Sequence, residues 1–333
     1  MSPNPTRRRV ITIVAAAAGL PLLAPRAWAT AASDIPTLHG WSGVTLGADA
    51  RLLINHPDAA QAQALIHASL EEAARLEGIF SLYRPDSTLN RLNRQGALTD
   101  PPSDMVALLG QAQAVTRLTG GAFDPTVQPL WTLYADHFSR PDADPAGPPP
   151  AVLARALAHV GHDALSVEAD RITLRRPGMA LTLNGIAQGY VTDRVVALMR
   201  ARGVERALVD MGEIRAMGRH PSGRPWTAGV KRPGAQDATV LTLDLVDRAL
   251  STSGAYGTPF EATGRFNHLF DPTTGRCSDP SSSLTVAAPT AALADGLSTA
   301  FSVMPPDAIA RTLAQVPDCQ AWRSRTDGTV SRV

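Results

Sequence analysis

At 333 residues, 44% hydrophobic and 18% charged, the chain has the apolar material for a large core and reads as globular. Its 31 basic and 30 acidic side chains leave a net charge of +1, which excludes a sequence-wide field for nucleic acid or anionic membrane. Lys231 is the only lysine, and Cys277 and Cys319 are too few and too far apart for a thiolate zinc site or a disulfide framework, leaving room for at most one bridge.

Residues 1–29 read as a targeting segment and 30–333 as the folded domain. Thr6-Arg7-Arg8-Arg9-Val10-Ile11 leads into an apolar run from Val10 to Leu23, and Ala27-Trp28-Ala29 supplies a small-x-small cleavage site. The paired arginines and Arg26 resemble a twin-arginine signal. The run is short for a spanning helix. A mature protein starting near Thr30 in the bacterial periplasm, free or membrane-associated, is the expectation.

In the mature chain, Trp41 to Asn55 alternates around Gly47-Ala48-Asp49 and predicts two short strands. From Asp58, a candidate N-cap, Leu65, Ile66, Leu70, Ala73, Leu76, Ile79 and Phe80 recur at helical spacing. Ser87 and Ser103 are candidate caps of two further helices, the first running through Asn93 and the second to Gly120-Gly121. Pro141 to Pro150 reads as a linker or long loop, followed by a helix from Ala151 to Val160 and a hairpin of Leu165 to Glu168 with Arg171 to Leu174. Strand signals at Leu181 to Leu183, Ala207 to Met211, Trp226 to Val230, Val240 to Leu245 and Ser283 to Ala288 then alternate with helices near Ala187 to Arg202 and Ala291 to Val303. This order is α+β, without repeats.

Rossmann, Walker A, zincin and nucleophile-elbow motifs are absent, and the eight histidines lack ligand spacing. What stands out are small-residue and oxygen clusters. Asp295 and Thr299 lie four apart on one helix face, a hard-oxygen pair suited to Mg²⁺, although an acidic residue near a helix start also serves the helix dipole. Leu181-Thr182-Leu183-Asn184-Gly185-Ile186-Ala187-Gln188-Gly189-Tyr190 runs from a strand signal into a helix, where free backbone groups meet phosphate or cation or simply make a tight turn. Ser251-Thr252-Ser253-Gly254 precedes Asn267-His268-Leu269-Phe270-Asp271-Pro272-Thr273-Thr274-Gly275, in which His268 is either a proton acceptor or structural.

Together these clusters resemble, in order and wording, the ApbE family of FAD:protein FMN transferases. The resemblance spans Ser81 to Ser87 with Asn93, Gly120 to Val127, Gly185 to Tyr190 with Asp193, His268 to Gly275, and Ala294-Asp295 with Thr299. It implies an α+β fold related to the T-fold, with mixed or antiparallel sheets, packed helices and FAD in a cleft. It implies Mg²⁺ on the Gly185 carbonyl, Asp295 and Thr299, and FAD contacts at Leu46, Tyr83, Ala122, Phe123, Asp124, Thr182, Gln188, Phe270 and Ser298. Thr182 stands where the family often has Asp, and Gln188 where Lys or Glu is frequent. The implied reaction is transfer of FMN from FAD to a Thr or Ser hydroxyl of an exported or membrane-associated redox protein, with AMP released. The rival readings are an FAD pyrophosphatase and an FAD-binding protein without turnover.

Overall fold

The computed structural model describes residues 37–333, so the leader assigned to residues 1–29 lies outside the described residues. Strands β1 (Leu38–Thr45) and β2 (Ala48–Asn55) form an antiparallel hairpin. Leu46 and Gly47 turn it with φ of 47° and 73°, the positive pair that suits the twist of the flanking strands. Helix α1 (Ala59–Phe80) starts where the capping signal predicts: Asp58 Oδ1 accepts from the N–H of Ala60 at 2.7 Å and of Gln61 at 3.0 Å. Ser87 likewise caps α2 (Thr88–Gln95), which Gly96 ends with φ of 71°, and β3 (Ala97–Thr99) follows. Helix α3 (Ser103–Leu118) departs from expectation, since Pro102 is its N-cap and Ser103 its first residue.

Helix α4 (Gln128–Phe138) has no counterpart in the sequence reading. Helix α5 (Pro150–Leu157) begins at a proline, whose missing N–H costs nothing in a first turn. Strands β4 (Leu165–Val167) and β5 (Arg171–Leu174) form the expected hairpin, with β3 paired on the outer side of β5. The strand expected at Leu181–Leu183 does not form. Its leucines are buried as predicted, but the Leu181 backbone is held by the Asn93 side chain, which donates to its carbonyl at 2.9 Å and accepts from its N–H at 2.7 Å. The Thr182 N–H goes to the Pro125 carbonyl, so no ladder remains to be made.

Helix α6 (Ala187–Ala201) leads to β6 (Ala207–Asp210), β7 (Ile214–Met217), the ribbon β8 (Trp226–Arg232) with β9 (Ala235–Leu245), and β10 (Ala249–Gly254). Next come β11 (Ser282–Ala288), α7 (Ala291–Phe301), α8 (Pro306–Leu313), β12 (Gln320–Arg325) and β13 (Val330–Arg332). The main sheet has eight strands in the order β1-β2-β6-β7-β10-β11-β12-β13, each antiparallel to its neighbours. Strand alternation splits its two faces. Leu52, Ile54, Val209 and Val286 enter the core built with α1, α3, α6 and α7, whereas Leu208, Ile214, Ala216, Leu250 and Ala287 pack with Trp226, Ala228, Val230 and Leu245 of the β8–β9 ribbon. Cys277 is half-buried and Cys319 buried, and both are free thiols. No helix among the described residues is long and apolar enough to cross a membrane.

Helices α6 and α7 touch at backbone range. A Cβ on Gly189 would lie 2.3 Å from the Ala291 carbonyl oxygen and 2.7 Å from the Ala292 Cα, closer than any side chain tolerates. Asp193, one turn along α6, accepts the N–H of Ala291 at 2.9 Å and of Ala292 at 3.0 Å, satisfying the start of α7, and is itself paired with Arg215. Gly189→Ala is therefore expected to destabilise the fold by about 1–3 kcal/mol. Gly110→Ala, on a face of α3 where nothing lies within 4 Å, should gain about 0.5–1 kcal/mol from helix propensity. Urea unfolding of both variants checks the pair, and two shifts of the same sign would contradict the packing argument.

Candidate active site

The irregular stretch ahead of α6 carries the first oxygen of the site. With Leu181 fixed by Asn93 and Thr182 by Pro125, the chain turns at Asn184-Gly185 and enters α6 at Ala187. The Gly185 carbonyl faces α7, where the Thr299 hydroxyl lies 3.5 Å away. A Cβ at Gly185 would sit 2.9 Å from Thr299 Oγ1, 3.0 Å from its Cγ2 and 3.4 Å from the Phe123 ring, so glycine leaves a cradle that any side chain would fill. Asp295, one turn before Thr299 on the same face, is fully buried, and its Oδ2 accepts the Gly189 N–H at 3.2 Å.

A carbonyl, a hydroxyl and one carboxylate are hard oxygen donors of the sparse kind that suits Mg²⁺, an ion that keeps several positions for water and phosphate oxygens. Among the described residues no group of three or more His, Cys, Asp or Glu gathers in the manner of a denser metal site. The donor chemistry and the glycine cradle thus fit Mg²⁺.

Above this floor opens a cleft of about 620 Å³, walled by Ala122 and Phe123 on one side and His268 and Phe270 on the other, with Thr182, Gly185 and Thr299 in its lining. The first wall is organised by Asp124. Its Oδ1 accepts the N–H and hydroxyl of Thr126 at 2.8 and 2.6 Å, and its Oδ2 the N–H of His162 at 3.0 Å, so its carboxylate braces the loop while its surface lines the cleft. The second wall is stapled by fully buried Asn267, which donates to the Gly264 and Ser278 carbonyls and accepts from the Leu269 N–H. Behind it Phe270 stacks on Tyr134, centroids 5.5 Å apart, and the Tyr134 hydroxyl donates to the Gly275 carbonyl at 3.0 Å.

A second hollow of about 350 Å³ lies between Leu46, Tyr83 and Gln188, and Asn184 lines both. The structure therefore brings together all but two of the site residues expected from sequence. Asp295 lies buried beside the cleft rather than in its lining. Ser298 is also fully buried, with its hydroxyl on Ser251, Ser253 and the Asp295 carbonyl. Asn184, Trp131 and Pro125 also line the cleft and were not among the expected site residues. Asn184 and Pro125 sit inside stretches already singled out, whereas Trp131 belongs to α4, which carried no sequence signal.

A model of the ApbE family matches residues 46–322. The chain belongs to the ApbE family. Relatives named FAD:protein FMN transferase include one from Klebsiella pneumoniae, 32% identical over 292 residues covering 84% of this chain and 82% of its own. One from Haemophilus influenzae is 32% identical over 240 residues, 68% of each chain. Among solved structures, the flavin transferase ApbE of Vibrio cholerae superposes with a TM-score of 0.75 at 26% identity, covering 90% of this chain and 97% of its own. The ApbE protein of Thermotoga maritima reaches 0.78 at 27% identity, covering 89% and 97%.

Beside the second hollow this ApbE chain buries an acid to which the sequence pattern assigned no role. Asp210 ends β6 and accepts the Gly212 N–H at 3.0 Å, and Gly212, at φ of 104°, lies against Gln188 with no room for a Cβ. Burial, opposed by the Gly212 bond and Arg51 and helped by Asp49, leaves the Asp210 acid pushed up to about 7. The folded chain thus binds this proton more tightly than the unfolded chain, a stabilising contribution present below about pH 4 and lost as pH rises through about 7. Asp210→Asn is expected to exceed the wild type in stability by about 2 kcal/mol at pH 8, with the gap closing toward pH 4. Urea unfolding at the two pH values checks it; a gap of equal size at both would contradict the assignment.

Proposed function

We propose that this protein is an exported, Mg²⁺-dependent flavin transferase that moves the FMN half of FAD onto a Thr or Ser hydroxyl of another protein and releases AMP. It is a transferase, as its family and its relatives named FAD:protein FMN transferase indicate. The observation that carries the finer reading is the meeting of the Gly185 carbonyl and Thr299 hydroxyl on the cleft that His268 walls, with Asp295 one helical turn away.

Gly185, Asp295 and Thr299 are the residues that would hold the ion. Bound Mg²⁺ supplies neutralisation of pyrophosphate charge and a template for its oxygens. The Gly189 N–H orients the Asp295 carboxylate for this task. The two hollows that meet at Asn184 receive the two ends of the dinucleotide, with Phe123 and Phe270 in one and Leu46, Tyr83 and Gln188 in the other. Holding both ends fixes the phosphorus against an incoming hydroxyl, which is where positioning lowers the barrier.

His268 accepts the proton of that hydroxyl. The acceptor oxygen bonds to the FMN-side phosphorus, the bond from that phosphorus to the bridging oxygen breaks, and the bridging oxygen leaves with AMP. FMN alone offers no comparable leaving group, so FAD is the donor. The twin-arginine-like leader supports a reaction in the periplasm, with an exported or membrane-associated redox protein as acceptor.

Incubating the mature protein with FAD, Mg²⁺ and a candidate acceptor domain should give in-gel flavin fluorescence after denaturation, the mass of FMN less water on a Thr or Ser, and one AMP per label. Asp295→Ala should lower the rate at least about 100-fold, since one anionic ligand of a charge-neutralising ion is gone. AMP and free FMN accumulating with every acceptor unlabelled would replace this reading with a pyrophosphatase. Replacing Arg7 and Arg8 by Lys should block export, and undiminished export would remove the twin-arginine route.

A further inference from the structure

Behind the oxygens that face the cleft runs a buried chain of hydroxyls contributed by β10 and α7. Ser251 and Ser253 lie on the face of β10 that meets α7, the face opposite Leu250, which packs toward the ribbon. The Ser298 hydroxyl stands 3.0 Å from Ser251 Oγ and 2.8 Å from Ser253 Oγ, and Ser253 Oγ stands 3.3 Å from Thr299 Oγ1. Ser251 and Ser298 are fully buried and Ser253 nearly so, out of reach of solvent.

A hydroxyl has one proton to give, and that rule orders the chain. With Ser298 donating to the Asp295 backbone carbonyl at 3.0 Å, its oxygen is left to accept from Ser251 and Ser253. In that arrangement Ser253 gives its proton to Ser298 and accepts from Thr299. The Thr299 proton then has two acceptors within range, Ser253 Oγ at 3.3 Å and the Gly185 carbonyl at 3.5 Å. Directed at Gly185, it occupies a lone pair of one oxygen of the cation set and points a positive hydrogen at the place the ion needs. Directed at Ser253, it leaves the Thr299 lone pairs and the Gly185 carbonyl both turned to the cradle.

We propose that Ser253 is a positioning residue of the divalent-cation site, holding the Thr299 proton so that the Thr299 and Gly185 oxygens act as ligands together. This inference rests on the Mg²⁺ reading above and names a residue that the reading does not contain. The role is that of an outer hydrogen-bond partner orienting a ligand, whose loss typically costs about 10-fold or more in metal affinity. Ser251 makes the control, because its hydroxyl also bonds that of Ser298, whereas the bond to Thr299 belongs to Ser253.

The test is a titration of the mature protein with Mn²⁺ in the presence of FAD, reading free ion by electron paramagnetic resonance, together with thermal unfolding of the metal-free proteins. Ser253→Ala should bind Mn²⁺ about 10-fold more weakly than the wild type, Ser251→Ala within about 2-fold of it, and the two variants should melt alike without metal. Ser253→Thr, which keeps the hydroxyl, should restore affinity. If Ser253→Ala fails to fold, Ser253→Cys, a poorer acceptor of similar size, is read in the same titration with the same expectation. Wild-type affinity in the Ser253 variant, or equal weakening in both serine variants, would overturn the proposal while leaving the metal reading intact. A wild type that takes up no Mn²⁺ would overturn both.

Discussion

The close approach of α6 to α7 at Gly189 is the constraint on which the site depends. Because residue 189 has no side chain, the backbone of α6 reaches that of Ala291 and Ala292, and from that contact two consequences follow. The Gly189 N–H, in the first turn of α6, points at the Asp295 carboxylate, and the Asp193 carboxylate takes up the first N–H groups of α7. Helix α7 is thereby fixed in direction and depth, which sets Thr299 against a carbonyl 114 residues earlier in the chain. A widening of the helix pair by even a methyl group would move the Gly185 carbonyl away from Thr299 and the Gly189 N–H away from Asp295.

Around this contact the molecule divides labour between a rigid base and self-braced loops. The eight-stranded sheet carries α6 and α7 on one face and the β8–β9 ribbon on the other, so β10 is supported from both sides where it presents Ser251 and Ser253. The walls of the cleft are loops, yet they are tied by buried or half-buried polar side chains: Asp124 to Thr126 and His162, Asn267 to Gly264, Leu269 and Ser278, and Asn93 to Leu181. Such bonds replace a strand ladder where the backbone has to remain irregular to face a ligand. The result suits a reaction at phosphorus, in which the protein chiefly positions and neutralises.

Much of this was legible in the sequence because it depends on local chemistry. Asp58 and Ser87 announce their helices through side-chain caps, and the Asp295–Thr299 spacing is a property of any helix. The small residues from Gly185 to Gly189 suggested a tight junction, and both glycines prove to be places where a Cβ cannot fit. What was not legible depends on distant partners. Leu181 to Leu183 alternates like a strand, but its backbone is satisfied by an asparagine 88 residues away, which no local pattern reveals. Helix α4 lacks a side-chain cap and any sharp periodic signal, and its place beside the cleft comes from packing against the 260–270 loop. The ordering of Ser298 behind the cleft rather than in it follows from β10, whose register only the sheet defines.

The central claim is that three oxygens from two distant segments, the Gly185 carbonyl, the Asp295 carboxylate and the Thr299 hydroxyl, hold one divalent cation at the pyrophosphate of FAD. Crystals of the mature protein grown with FAD and Mn²⁺ and measured at the manganese absorption edge test it most directly. The account expects a single anomalous peak within bonding distance of those three oxygens and of pyrophosphate oxygens. A peak elsewhere in the cleft, or an ordered FAD pyrophosphate with no peak between it and these residues, would contradict it.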